Sequence, residues 1–277
     1  MGQSKVCLVV GAGAGIGGTV ARKFAEEGYH AVLCRRTDEA KLNAMVDDMR
    51  ARGWSASGRL LNAAEPDTLE ALAASAEAEG PVDTVVYNLG AQIGNRALGD
   101  TPLKTFELGW RMACFGLFRI AKAVIPSMVE RGHGTLLVTS ATSAMRGNAG
   151  QHSHAAAMAG RRLLCQTLNA EFAVQGIHVV HIVVDGAVDA PDTLGKMLGA
   201  ERFAALRDAK GHDKDGLLLP EKIAETYYHL AQQHRSVWTH ELDYARTPTW
   251  LGGIIPWTYE RTVQTFDKQR KRGRAMT

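Results

Sequence analysis

The stretch Val9-Val10-Gly11-Ala12-Gly13-Ala14-Gly15-Ile16-Gly17-Gly18 organises the reading of everything around it. It closes an apolar run over residues 5–10 and opens a helical pattern over 17–27. A turn this tight needs glycine, because backbone amides and the positive end of a helix can then approach a pyrophosphate with no Cβ in the way. The GxGxxG spacing occurs at Gly13, Gly15 and Gly18, a step off the strand, whereas Gly11, Gly15 and Gly17 give the better register, GxxxGxG.

Outward from this turn, apolar runs of strand length over 5–10, 31–34, 57–61, 84–87, 135–140 and 177–184, with a weaker one over 236–242, alternate with helical patterns. The helical patterns cover 17–27, 39–52, 66–78, 103–131, 151–175 and 221–233. Short Val, Ile and Leu runs without polar alternation belong to strands covered on both faces. The expectation is therefore an α/β, doubly wound Rossmann fold: a seven-stranded parallel sheet with helices on both faces. Residues 1–250 read as one dinucleotide-binding domain and 251–277 as a C-terminal appendage with a basic tail. Residues 191–219, with Gly195, Gly199, Gly211 and Gly216, break the rhythm and read as a mobile lid or a plain surface insertion.

The chain has 277 residues, 22% charged and 45% hydrophobic, an ordinary globular profile. Its net charge is +3, but five basic residues lie in the last ten (Lys268, Arg270, Lys271, Arg272, Arg274), so residues 1–267 carry −2. That average charge argues for neither a nucleic-acid nor a membrane partner. Four cysteines, at 7, 34, 114 and 165, form no CxxC or Cys/His cluster at metal-ligand spacing, so no metal is expected. Lys5 precedes a run, 6–10, too short for a signal-peptide core or a membrane span, and a reduced, cytoplasmic protein is the expectation.

With the GxxxGxG spacing the sequence resembles the short-chain dehydrogenase/reductase family, whose usual opening is TGxxxGIG; Val10 stands at the Thr position. The resemblance runs over about residues 5–245. It makes Gly11, Gly13, Ala14, Gly15, Ile16 and Gly17 the cofactor loop, and places Asn62 and Ala63 where the family commonly has an Asp near the adenine. Tyr87-Asn88-Leu89-Gly90 matches NNAG, so Asn88 and Gly90 correspond to the pair that supports the central strands and borders the adenosine. Gly186 and Val188 match the Pro-Gly-x-Val segment that holds the nicotinamide carboxamide, with Asp185 replacing proline.

The second strand ends Leu33-Cys34-Arg35-Arg36, and its first following acid is Asp38. A cation at this end suits a ribose 2′-phosphate and an acid suits a 2′-hydroxyl, so NADP is favoured over NAD. Ala14 lacks the basic side chain that many NADP-binding relatives carry in the loop.

The family's chemistry is acid–base catalysis by a Tyr activated by Lys, with a Ser on the substrate oxygen and an Asn supporting a proton relay. By the same resemblance YxxxK falls on His154 to Met158, Ser on Ala141 and Asn on Ala113, so all four positions are substituted. An ordinary imidazole has a pKa of about 6.5, so His154 needs no Lys to exchange a proton near neutrality. Ser143 or Ser140 is the candidate for the missing hydroxyl, with Ser140 expected on the far side of its strand.

Three functions are compatible with this pattern: an NADP(H)-dependent carbonyl reductase or alcohol dehydrogenase using His154, a dinucleotide-binding protein without turnover, and a non-redox enzyme on the same fold. The partner implied by the first is a small carbonyl or alcohol, and the resemblance implies a homodimer or homotetramer through the fourth and fifth long helices.

Overall fold

The computed structural model describes residues 4–90, 96–211, 214 and 216–245. Seven strands, β1 (Val6–Val10), β2 (His30–Arg35), β3 (Ala56–Leu60), β4 (Val82–Tyr87), β5 (Gly134–Ala141), β6 (Ile177–Asp185) and β7 (Glu241–Ala245), form one sheet in the order β3-β2-β1-β4-β5-β6-β7. Every pairing is parallel. The expected doubly wound architecture is thus the observed one. The strand order reverses between β1 and β4, and the crevice at the carboxyl ends of those strands is where such sheets take ligands.

Strand alternation divides the core in two. Val6, Leu8 and Val10 of β1 face α3 (Thr68–Glu79), α5 (Gly116–Arg131) and α6 (His152–Phe172). Cys7 and Val9 face α1 (Ile16–Glu26), α2 (Glu39–Ala51) and the helix Pro220–Ala231. All five residues of β1 are fully buried, which is why the run shows no polar alternation.

The helical pattern over 103–131 is one continuous rod interrupted by a π turn: α4 (Leu103–Trp110), the π turn Arg111–Phe115, then α5. Leu103–Arg131 is long and apolar enough to cross a membrane by length and composition, yet its α5 portion buries Leu117, Ile120, Val124, Ile125 and Met128 in the core of this fold. The widened turn displaces carbonyls from the helical ladder, and side chains take them. Tyr87 Oη donates to Met112 O, and Arg161 Nε donates to Ala113 O at 2.9 Å. Gly116 is required beside this turn, since a Cβ there would stand 2.2 Å from Tyr87 Oη.

Two expectations shift. The last strand lies at Glu241–Ala245 rather than 236–242, because Arg235–Val237 forms a 3-10 turn. Gln233 then holds the following residues, accepting from Trp238 Nε1 through its carbonyl and from the Thr239 N–H through its side chain. Residues 191–219 contain structure of their own: a π turn Pro191–Gly195, a short helix α7 (Lys196–Leu198) and α8 (Ala200–Lys210), followed by α9 (Pro220–Ala231). Within α8 only Phe203 is buried. The appendage over 251–277 lies outside the described residues.

Candidate cofactor and active site

The glycine loop is tied to the sheet on three sides. Gly11 N–H and Ala12 N–H both donate to Cys34 O, at 2.9 and 2.8 Å, and Asn88 Nδ2 donates to Gly11 O at 2.9 Å. Gly11 has φ +101°, and an added Cβ would stand 2.9 Å from Asn88 O. At Gly17 an added Cβ would stand 2.2 Å from Gly11 O. These contacts leave room for no side chain, so the loop backbone lies flat against β1, β2 and β4. Helix α1 begins after Gly15 with no side-chain cap, leaving its first amides for an anion.

Segment 186–190 comes back onto this loop from the end of β6. Val188 pairs in parallel with Leu218, Ala190 N–H donates to Val188 O at 2.8 Å, and the Ala190 Cβ lies 2.7 Å from where a Gly15 Cβ would stand. Asp185 Oδ2 is buried without a hydrogen-bond partner. Beyond the segment, Asp192 Oδ2 accepts the Ala14 N–H at 2.9 Å and lies 3.5 Å from Arg35 Nη2.

Arg35 is largely buried at the end of β2, and its Nη1 has no hydrogen-bond partner. Arg36 points to solvent. Asn62 is engaged in its own turn, donating to Glu65 Oε1 at 3.0 Å and accepting from the Ala64 N–H at 3.3 Å. Ala63 is buried, with its carbonyl accepting from Arg119 Nη1 at 3.1 Å. Gly90 is exposed, with open space where its Cβ would be.

On the other side of the crevice, His154 is buried on the first turn of α6 and lines a small pocket with Arg96, Thr101 and Gly150. Ala113, Ala144, Ala157 and Met158 form a compact apolar cluster one turn along. Ser140 Oγ points at Met158 Sδ, 3.8 Å away. Ser140 therefore lies on the α6 face of its strand, not on the far side, because β5 alternates so that Leu136 and Val138 share the core that contains α6 residues Cys165 and Leu168. Ser143 is buried in the 3-10 turn Thr142–Ala144.

Beneath this cluster lies Arg161, 1% exposed. Its guanidinium donates to three backbone carbonyls, Ala113 O, Thr139 O and Leu89 O, and stacks 5.2 Å from the Tyr87 ring centroid. Burial lowers its pKa from the usual arginine value. One side chain thus joins the ends of β4 and β5 to the π turn.

A family model described as short chain dehydrogenase matches residues 5–196. The chain belongs to the short-chain dehydrogenase/reductase family. It is 32% identical over 248 residues to the short-chain reductase protein NovJ of Streptomyces niveus, covering 86% of this chain and 91% of NovJ. With the 3-oxoacyl-[acyl-carrier-protein] reductase FabG of Escherichia coli it shares 31% identity over 196 residues, 69% of this chain and 76% of FabG. A solved actinorhodin polyketide ketoreductase with NADPH superposes with TM-score 0.73 at 26% identity, over 88% of this chain and 98% of that one.

Placed in the family's frame, the sequence-derived candidates separate into three groups. Gly11, Gly13, Ala14, Gly15, Ile16, Gly17, Asn88 and Arg35 gather at the crevice between β1 and β4, Gly186 and Val188 lie on the segment that brings Ala190 against Gly15, and Arg36, Asn62 and Ala63 are turned to solvent or to local contacts. No set of three His, Cys, Asp or Glu side chains arranged to hold a metal occurs among the described residues. Two residues with contacts at the candidate site escaped the sequence reading. Asp192 was hidden in an irregular segment, and its partners are 178 and 157 residues away. Arg161 did leave a signal: a charged residue three after Met158 and seven after His154, on the face of α6 that is otherwise buried.

Proposed function

We propose that the protein is an NADP(H)-dependent carbonyl reductase or alcohol dehydrogenase in which His154 replaces the family's tyrosine. The observation that carries this reading is the convergence of the glycine loop, Asn88 and Arg35 at the ends of β1, β2 and β4. The residues fit a phosphorylated dinucleotide: a glycine turn packed too closely for side chains at Gly11 and Gly17, an uncapped helix start, and a buried guanidinium nitrogen lacking a partner. Gly11 to Gly17 would hold the pyrophosphate, Arg35 the 2′-phosphate, and the backbone of 186–188 the nicotinamide end. When bound, such a cofactor supplies the hydride. The protein's own tasks are then to orient the carbonyl beside His154, to keep water out through Ala113, Ala144 and Met158, and to deliver a proton from the His154 imidazole to the carbonyl oxygen.

The apolar cluster favours a second reading as well. Ala113, Ala144, Ala157 and Met158 fill with hydrocarbon a region that a proton relay would need polar, as expected of a dinucleotide-binding protein without turnover. Titrating NADPH and NADH by fluorescence, then following NADPH absorbance against a carbonyl panel, separates the two. The reductase reading expects turnover that drops roughly 10²- to 10⁴-fold in His154→Phe with NADPH affinity retained. Unchanged turnover in that variant removes the acid role, and tight NADPH binding without turnover in the wild type selects the second reading.

The same proposal includes a cytoplasmic homodimer. It is supported by an exposed apolar stripe on α4, α5 and α6: Leu103, Phe106, Trp110, Phe118 and Leu163.

A further inference from the structure

Asp192 sits in the mouth of the glycine loop, its side chain 11% exposed. Oδ2 accepts the Ala14 N–H at 2.9 Å and lies 3.5 Å from Arg35 Nη2, while Oδ1 lies 3.5 Å from Lys41 Nζ and 3.7 Å from Lys196 Nζ. Asp38 completes the charge set, its Oδ2 3.3 Å from Lys41 Nζ and 3.9 Å from Arg35 Nη2. Gly13 makes the approach open, since even a Cβ there would stand 3.5 Å from Asp192 Oδ2. Burial pushes the Asp192 pKa up, but the Ala14 hydrogen bond and the charges of Lys196, Lys41 and Arg35 outweigh it and hold the carboxyl below the usual range. The group is an anion at neutral pH.

A backbone amide at a glycine loop, a guanidinium and two ammonium groups are the donors a phosphate monoester recruits. Here a carboxylate of the chain itself has recruited them. Ala14 has one N–H, and Arg35 is the cation that the dinucleotide reading assigns to a 2′-phosphate. A phosphate brought to these groups must therefore displace Asp192 or meet its like charge. A ribose hydroxyl is different, because it is a donor that a carboxylate accepts.

We infer that Asp192 is a specificity-determining residue: tethered on the segment after β6, it occupies the anion subsite of Ala14, Arg35 and Lys41 and competes there with the 2′-phosphate of a phosphorylated dinucleotide, but not with the bare ribose of an unphosphorylated one. The inference rests on the dinucleotide reading above.

The test is the pair of affinities in Asp192→Asn, which keeps an oxygen acceptor for the Ala14 N–H and removes only the charge. NADPH and NADH are titrated against wild type and variant by nucleotide fluorescence, with circular dichroism checking the fold. NADPH affinity is expected to rise about tenfold and NADH affinity to change less than about twofold. Asp192→Ser, without the carboxylate, is expected to move the NADPH to NADH preference in the same direction. A preference that is unmoved or that shifts towards NADH overturns the inference while leaving the dinucleotide reading intact. Failure of wild type and variants to bind either nucleotide overturns both.

Discussion

Arg161 shows how a single side chain can substitute for a stretch of regular hydrogen bonding. The π turn Arg111–Phe115 moves carbonyls out of the helical ladder, and a buried guanidinium, with its rigid fork of donors, is a group able to reach Ala113 O, Thr139 O and Leu89 O together. Neutralising it leaves three buried acceptors unmet. Arg161→Met is therefore expected to destabilise the protein by about 3–5 kcal/mol, read from chemical denaturation, although methionine suits the surrounding hydrocarbon. A loss below about 1 kcal/mol would show that water or a rotated peptide satisfies the carbonyls equally well. At this scale the sequence was only partly informative. A charged residue on the buried face of α6 is visible in the helical pattern, but which carbonyls it meets depends on a π turn 48 residues earlier.

At the scale of elements, the β6–β7 edge is held by a polar triad inside the sheet layer. His181 on β6 is fully buried, its Nδ1 3.0 Å from Glu241 Oε2 on β7, and Glu241 in turn accepts from Arg162 Nε and Nη2 at 2.7 and 2.8 Å. Burial is the largest influence on His181 and pushes its pKa down to about 4, against the opposing pull of Glu241. The folded state thus keeps the imidazole neutral, whereas the unfolded chain protonates it near 6.5. Its contribution to stability is complete above pH 6.5 and is lost as pH falls from 6.5 towards 4, about 3 kcal/mol in all. Glu241, held below the usual carboxylate range chiefly by Arg162, loses its contribution only at still lower pH. Urea unfolding between pH 6.5 and 4.5 should show a slope shallower by up to about 1.4 kcal/mol per pH unit in His181→Gln than in the wild type. Equal slopes would place the proton uptake elsewhere. The same edge explains the displaced last strand. The run at 236–242 reads as extended, but Trp238 stacks flat on His178, ring centroids 4.7 Å apart, and the chain turns there before pairing.

For the whole molecule, the exposed stripe on α4, α5 and α6 sets an assembly expectation. Leu103 is 89% exposed on α4, and Leu163 is 61% exposed on α6, whose opposite face is core. Two copies joined through this face would remove an apolar patch that a soluble monomer rarely presents. Trp110→Glu with Phe118→Glu should convert a dimer to a monomer in sedimentation velocity while leaving the melting curve cooperative. A wild type that sediments as a monomer at micromolar concentration would remove the dimer from the proposal.

The glycine stretch, the uninterrupted apolar runs and their alternation with helices were enough to specify a doubly wound parallel sheet, because burial on both faces and a tight strand-to-helix turn each demand particular residue types over a few positions. Arg35 at the end of β2 was legible for the same reason: it adjoins a local element. Asp192 against Ala14, Ser140 turned towards Met158, and Arg161 beneath the crevice were decided only by the tertiary structure. Their partners are distant in the chain, and neither spacing nor periodicity records which side chains meet once helices cross the sheet.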